Sequence, residues 1–200
     1  MEGTTILSLI LFAALMTGTP GPNNMMVTAS GANFGYWRSV PHITGISMGM
    51  ASMISLLAAG LGIIFERYPM VHDVLKVVGC AYLLFLAWKI ATSGGMSKTK
   101  QQVNAQPMSI FSAALFQYVN PKAWMMSATA VSTFAVGGEH YWLSITIIVT
   151  VFFVVGFACV SLWTATGVVI RRWLTSERRT IRFNQVMGGL TAACVTMIWS

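Results

Sequence analysis

Residues 5–32 read TILSLILFAALMTGTPGPNNMMVTASGA, an apolar stretch long enough to cross a membrane and interrupted near its middle. The interruption is Gly18-Thr19-Pro20-Gly21-Pro22-Asn23-Asn24. Proline inside a helix removes an amide donor and clashes with the preceding turn, so two prolines around a glycine should break the helix. Backbone groups freed by the break cannot face lipid and must be buried in protein or line a wet cavity. The stretch therefore predicts a discontinuous membrane helix.

A second apolar stretch, residues 108–136, is interrupted in a similar way by Asn120-Pro121-Lys122. Lys122 is the only formally charged residue well inside an apolar stretch. A cation near the bilayer centre costs at least about 2.5–3.5 kcal/mol on insertion scales, so such residues are usually functional. The alternative is that the prolines only kink two helices and that Lys122 reaches an interface.

The composition of the whole chain agrees with a membrane location. Of 200 residues, 56% are hydrophobic and 8% are charged, and the mean hydropathy is +0.70. A soluble domain has about 25% charged residues, so the composition excludes a soluble enzyme, a disordered chain and a secreted disulfide scaffold. The three cysteines lie in apolar runs without metal-ligand spacing. We therefore expect no metal, no cofactor and no nucleic-acid partner, and we attribute the net charge of +7 to orientation in the lipid bilayer.

The sequence predicts an all-α integral membrane protein with six transmembrane helices. The predicted spans cover residues 5–32, 40–65, 74–90, 108–136, 142–170 and 184–199. The chain forms a single transporter domain, 1–200, in which halves 1–91 and 108–200 are joined by a cytoplasmic loop, 92–107. Three spans in each half predict a 3+3 inverted-topology repeat with discontinuous helices 1 and 4, an arrangement common in secondary transporters.

The positive charges predict the orientation. One set of loops and flanks holds nine of the twelve bases: Arg38, Lys89, Lys98, Lys100, Arg171, Arg172, Arg178, Arg179 and Arg182. The opposite side holds only Arg67 and Lys76. Basic loops stay in the cytoplasm, so both termini are predicted outside, in the periplasm.

Matching interrupted helices in two halves indicate a central substrate site. Half-helices beginning near Asn23 and Lys122 would present free amides and a positive dipole end, which suit a carboxylate. The candidate substrate-binding residues are Gly21, Pro22, Asn23, Asn24, Asn120, Pro121 and Lys122. No Asp or Glu lies in a predicted span, so a coupled proton would be carried by Lys122, a histidine or the substrate. We interpret His42, after Pro41, as a solvated histidine at the membrane interface.

The sequence gives less support to other classes of function. A membrane enzyme needs a nucleophile with a base, a metal cluster or paired acids inside the bundle, and the sequence shows none of these, so no catalytic residue is expected. A small-solute channel or a structural membrane subunit stays open as the alternative. Gly45 and Gly49 form a G-x-x-x-G pair that permits either packing within the bundle or a homodimer.

The motifs together match a known family. Thr19-Pro20-Gly21-Pro22-Asn23, with the segment Phe116-Gln117-Tyr118-Val119-Asn120-Pro121-Lys122, resembles the LysE/RhtB superfamily of amino-acid exporters over essentially the whole chain. Ser132-Thr133-Phe134 is most similar to the cysteine/O-acetylserine exporter branch. The resemblance implies export of amino acids or small derivatives across the bacterial inner membrane, against protons moving inwards. The two proline motifs carry over as the two discontinuities.

Overall fold

The computed structural model describes residues 1–61, 69–93 and 106–196, which are largely helical and contain no strand. The helices are α1 Gly3–Gly18, α2 Pro22–Phe34, α3 Tyr36–Leu56, α4 Pro69–Ala91, α5 Ile110–Val119, α6 Pro121–Phe134, α7 Tyr141–Arg171 and α8 Glu177–Ala193. A short π-helical segment, Leu57–Leu61, extends α3, and a 3-10 turn, Gly138–His140, precedes α7. The prediction of an all-α protein is confirmed.

Among the described residues, two helical segments are long and apolar enough to cross a membrane: Tyr36–Leu61 and Gly138–Arg171. Helices α1 and α2 are bent by 63° across their short break, and they would make a third span if the pair counts as one. Most of the predicted loop 92–107 lies outside the described residues. The same holds for Arg67, Lys98, Lys100 and the predicted ends of spans 2 and 6.

Three helices begin well before the predicted starts of their spans, and one of them is α4, which begins at Pro69 rather than at residue 74. Helix α8 begins at Glu177 rather than at Asn184, because Ser176 caps it by accepting a hydrogen bond from the Arg179 amide at 3.4 Å. Charged residues that the sequence assigned to a loop therefore lie in the first turns of a helix. Helix α3 begins at Tyr36 rather than at residue 40. Gly35 has a φ of 85°, which lets the chain turn directly from α2 into α3.

Close helix crossings use glycine. A Cβ atom at Gly31 of α2 would lie 2.1 Å from the Thr164 carbonyl oxygen of α7, and one at Gly167 would lie 2.1 Å from the Thr28 carbonyl oxygen. Only glycine permits backbones to approach so closely. Helix α7 also packs against α1 and α3, and α4 packs against α8.

The G-x-x-x-G pair is used inside this chain. A Cβ atom at Gly45 would lie 2.3 Å from the Ile110 carbonyl oxygen, and one at Gly49 would lie 2.6 Å from the Ala114 carbonyl oxygen. Both glycines therefore allow α3 to pack closely against α5. This crossing places the end of α5, and with it the second break, beside the middle of α3.

Candidate functional site

The two breaks meet through Lys122. Its ammonium group donates hydrogen bonds to the carbonyl oxygen of Thr19 at 2.8 Å, to the Thr19 hydroxyl at 2.9 Å and to the carbonyl oxygen of Pro20 at 3.2 Å. A lysine ammonium has three donors, so these contacts use all of them. The cation of the second break thereby neutralises the carbonyl end of α1, where a helix carries partial negative charge.

A pair of amide side chains makes a second link between the breaks. Asn23 donates to Gln117 Oε1 at 2.8 Å, and Gln117 donates to Asn23 Oδ1 at 3.2 Å. Gln117 is fully buried, with 0% of its surface exposed, and it also donates to the Ala113 carbonyl oxygen at 3.0 Å. The first turn of α2 is therefore fixed to the last turn of α5.

Side chains cap some of the helix ends at the breaks and leave one end without a cap. Asn24 donates to the carbonyl oxygens of Thr17 at 2.9 Å and Thr19 at 2.7 Å, which caps the end of α1. Asn120 Oδ1 accepts from the Lys122 amide at 3.2 Å and caps α6. Gly21 precedes α2 and has no side chain that could cap it. The N-terminus of α2 therefore has no side-chain cap from its N-cap residue.

These residues surround a small cavity of about 30 Å³, the break cavity. Its wall includes six of the seven predicted site residues: Gly21, Pro22, Asn23, Asn24, Asn120 and Lys122. Pro121 is not part of the wall and instead starts α6, where its missing amide donor costs little. A water molecule needs about 10–15 Å³ measured in this way, so the break cavity has room for about two or three waters and not for an amino acid. In this arrangement the space between the breaks is too small for a substrate.

Comparison with known proteins identifies the family of this chain. The family model of the LysE type translocator matches residues 12–197. This chain belongs to the LysE family. Its members are translocators, so the protein is a transporter rather than an enzyme, and the family resemblance seen in the sequence is confirmed.

Relatives of this LysE-family chain are similar to it in sequence over nearly its full length. It is 29% identical to the cysteine/O-acetylserine efflux proteins of Escherichia coli strain K12 and Shigella sonnei strain Ss046, covering 98% of each chain. No solved structure matches it.

The sequence did not identify the other residues in the wall of this translocator's break cavity, among them the polar residues Gln117 and Ser47. Gln117 stands one turn before the break, and a lone amide in an apolar half-helix is the signal that could have found it. Ser47 lies on α3, and its buried hydroxyl has no hydrogen-bond partner in the described part of the chain. Its position beside the breaks depends on the crossing of α3 with α5, which no local pattern specifies.

A second and larger cavity, the wide cavity, has a volume of about 420 Å³ and lies between α2, α3, α4 and α5. His42 belongs to its wall. The interpretation of His42 as a solvated residue is wrong, because only 2% of its surface is exposed. Helix α3 starts four residues earlier than predicted, and His42 therefore lies inside the bundle rather than at its edge.

Proposed function

We propose that this LysE-family chain is a secondary transporter that exports small neutral amino acids or their derivatives across the bacterial inner membrane in exchange for protons. The observation that carries the proposal is the meeting of the two breaks around one cavity, through Lys122 and the Asn23–Gln117 pair. The relatives named as cysteine/O-acetylserine efflux proteins support substrates of that size and charge.

The proposed architecture has six spans in two inverted halves, with α1–α2 and α5–α6 as the broken spans. Packing between corresponding helices supports it: α3 contacts α7, and α4 contacts α8. The break residues complete the pattern by joining the first span of one half to the first span of the other. In this arrangement both termini are periplasmic, and the turn between α7 and α8 is cytoplasmic together with the arginines in the first turns of α8.

The substrate carboxylate is proposed to bind at the N-terminus of α2. Its first-turn amides lack a cap from Gly21, and such amides together with the helix dipole attract anions. Lys122 lies alongside, since a Cβ atom at Gly21 would be 3.1 Å from its ammonium nitrogen. The amide groups of Asn23, Asn24 and Asn120 are proposed to shape this site and to bind the polar groups of the substrate.

The charges in the wall favour a zwitterion over a cation. The described residues that line the break cavity include Lys122 and no Asp or Glu. A substrate such as lysine would bring a second positive charge to a site without a carboxylate. A small neutral amino acid brings one carboxylate for the cation and the helix dipole.

Export requires the break cavity to enlarge. Met50, Met126 and Gly156 form part of its apolar wall, and methionine side chains repack easily. We propose that the two halves rock against one another, so that the site between them opens first to one side and then to the other. Proton coupling would act through Lys122, a histidine or the substrate, because no Asp or Glu lies within the predicted spans.

Transport in proteoliposomes tests this function. Purified protein is reconstituted, and uptake of labelled L-cysteine and O-acetyl-L-serine is measured with and without an imposed proton gradient. Lys122→Met and Asn23→Ala are expected to abolish gradient-driven transport, whereas Arg178→Gln, which removes an exposed cation of α8, should retain it. Normal transport by both break variants would refute the site. A channel would dissipate the proton or solute gradient without accumulating substrate.

A further inference from the structure

The wide cavity and the break cavity share three helices, α2, α3 and α5. Helix α2 contributes Asn23 and Asn24 to the break cavity, and Ser30 and Asn33 to the wide one. Helix α3 likewise contributes Ser47 to the first and His42 to the second. The two cavities therefore follow one another along the same groove, and the wide one lies towards the junction of α2 with α3.

Three buried apolar residues lie along the shared helices between the walls of the two cavities. Val27 of α2, Ile43 of α3 and Ala113 of α5 pack together, and each is fully buried. Each stands in its helix between residues that line the break cavity and residues that line the wide cavity. His42 and Ile46 on α3, which line different cavities, are about one helical turn apart, so the two cavities are close neighbours.

The wall of the wide cavity combines a cation with aromatic side chains from different helices. Lys89 of α4 supplies a cation, and Phe34, Tyr82 and Phe85 supply aromatic surface. Tyr82 and Phe85 are stacked with ring centroids 6.2 Å apart. A cation suits a carboxylate, and aromatic faces attract an ammonium group. No Asp or Glu occurs among the described residues of this wall.

His42 is a buried polar side chain of this wall whose ring nitrogens form no hydrogen bond within the described residues. The side chain is 98% buried. Its neighbours are paired: Ser30 bonds to Ser39 at 2.7 Å, and Asn33 bonds to Asn184 at 2.8 Å. A buried group left unpaired is costly, so a ligand or a conformation that supplies a partner is favoured.

We propose that the wide cavity is a second binding site for a small zwitterionic amino acid, in which Lys89 binds the carboxylate and His42, with the aromatic wall, receives the ammonium group. A neutral imidazole has one acceptor nitrogen, which matches an ammonium donor. The proposal rests on the proposed export function and extends it. The exported amino acid binds first in the wide cavity on the cytoplasmic side and then passes Val27, Ile43 and Ala113 to reach the breaks.

Protection from thiol labelling tests this site without depending on transport. Ser112 of α5 lines the wide cavity and is replaced by cysteine in the full chain, from which Cys80, Cys159 and Cys194 have been removed. A small hydrophilic methanethiosulfonate reagent then labels Ser112→Cys in detergent-purified protein. The rate is measured over a range of O-acetyl-L-serine concentrations, with N-acetyl-L-serine, which lacks the ammonium group, as the comparison ligand.

O-acetyl-L-serine is expected to slow the labelling, and N-acetyl-L-serine to slow it much less. Lys89→Gln and His42→Gln should each raise the half-protecting concentration about tenfold or more, because each removes one partner of the zwitterion. His140→Gln, which changes an exposed histidine before α7, should leave protection unchanged. Lys89 is itself exposed, so its replacement tests the site even if His42→Gln does not fold.

Asn23→Ala separates the wide cavity from the break site. Protection that persists in this variant while transport is lost supports two sites. Protection that disappears with Asn23→Ala, that is absent from the parent protein, or that is the same in Lys89→Gln would overturn the proposal. If protection occurs but no gradient drives transport in proteoliposomes, the export function fails and the binding site stands.

Discussion

The Asn23–Gln117 pair allows structure and transport to be separated by a double-mutant cycle. In Asn23→Leu, the Oε1 atom of the fully buried Gln117 loses its donor, and the expected cost is about 1–3 kcal/mol. In Gln117→Met, the half-buried Asn23 retains access to other partners, so a smaller loss is expected. The double variant replaces both amides by apolar groups and leaves neither one unpaired. Its destabilisation should therefore be less than the sum of the two single effects.

The size of the coupling follows from the two bonds of the pair, at 2.8 and 3.2 Å. Side-chain hydrogen bonds inside membrane proteins contribute about 0.6 kcal/mol on average and at most about 1.7 kcal/mol. Two bonds therefore predict a coupling free energy of about 1–2 kcal/mol. The free energy of unfolding is measured for the four proteins by denaturant titration in mixed micelles. Additivity within about 0.3–0.5 kcal/mol would refute the reasoning.

A second amide pair in the same protein provides the matched control. Asn33 and Asn184 exchange hydrogen bonds of 2.8 and 3.1 Å away from the break cavity, and they should show a similar coupling. Transport then distinguishes the roles of the first pair. If the amides of Asn23 and Gln117 contact substrate, the double variant regains stability but not export. Recovery of both properties would show that this pair serves the fold alone.

Three shorter predictions address packing, the cavity and the orientation. Gly31→Ala places a methyl group against the backbone of α7 and should lower the free energy of unfolding by about 1–3 kcal/mol or more, which is measured as a lower Tm in detergent. Gly189→Ala is the control, because its Cβ atom would meet nothing within 4 Å and the Tm should not change. Gly156→Ala should preserve export, since its Cβ atom would meet nothing closer than 3.8 Å, whereas Gly156→Leu should fill the break cavity and block transport without loss of fold. Thr175→Cys, in the exposed turn before α8, should react with an impermeant thiol reagent only from the cytoplasmic side; labelling from outside intact cells would reverse the proposed orientation.

Features fixed by local chemistry could be predicted from the sequence. Pro22 and Pro121 start α2 and α6 within one residue of the predicted half-helix starts, because proline excludes the preceding helical hydrogen bond wherever it occurs. The seven predicted site residues cluster at the breaks for the same reason. Hydrophobicity does not predict the start of α8, because it marks the apolar part of a helix and not its charged first turns.

Features fixed by tertiary contacts could not be predicted in this way. The hydrogen-bond partners of Lys122 lie more than 100 residues earlier in the chain. The sequence pattern therefore predicts a functional cation and does not predict which oxygens accept its hydrogen bonds. The proline before His42 indicates the edge of a span. The burial of His42 depends on Gly35 and on the way in which α3 packs, neither of which is visible in the residues beside it.

The bonds of Lys122 suggest how substrate binding and movement of the two halves would be linked. In this structure the ammonium group joins α6 to the end of α1 through neutral oxygen acceptors. A substrate carboxylate at the N-terminus of α2 would compete for the same donors, and hydrogen bonds between ionised groups are stronger than those to neutral acceptors. Binding would then weaken the tie between the breaks, and a ligand shifts a conformational equilibrium by its differential affinity for the two states. The empty protein would keep its halves joined, whereas the loaded protein would be free to open.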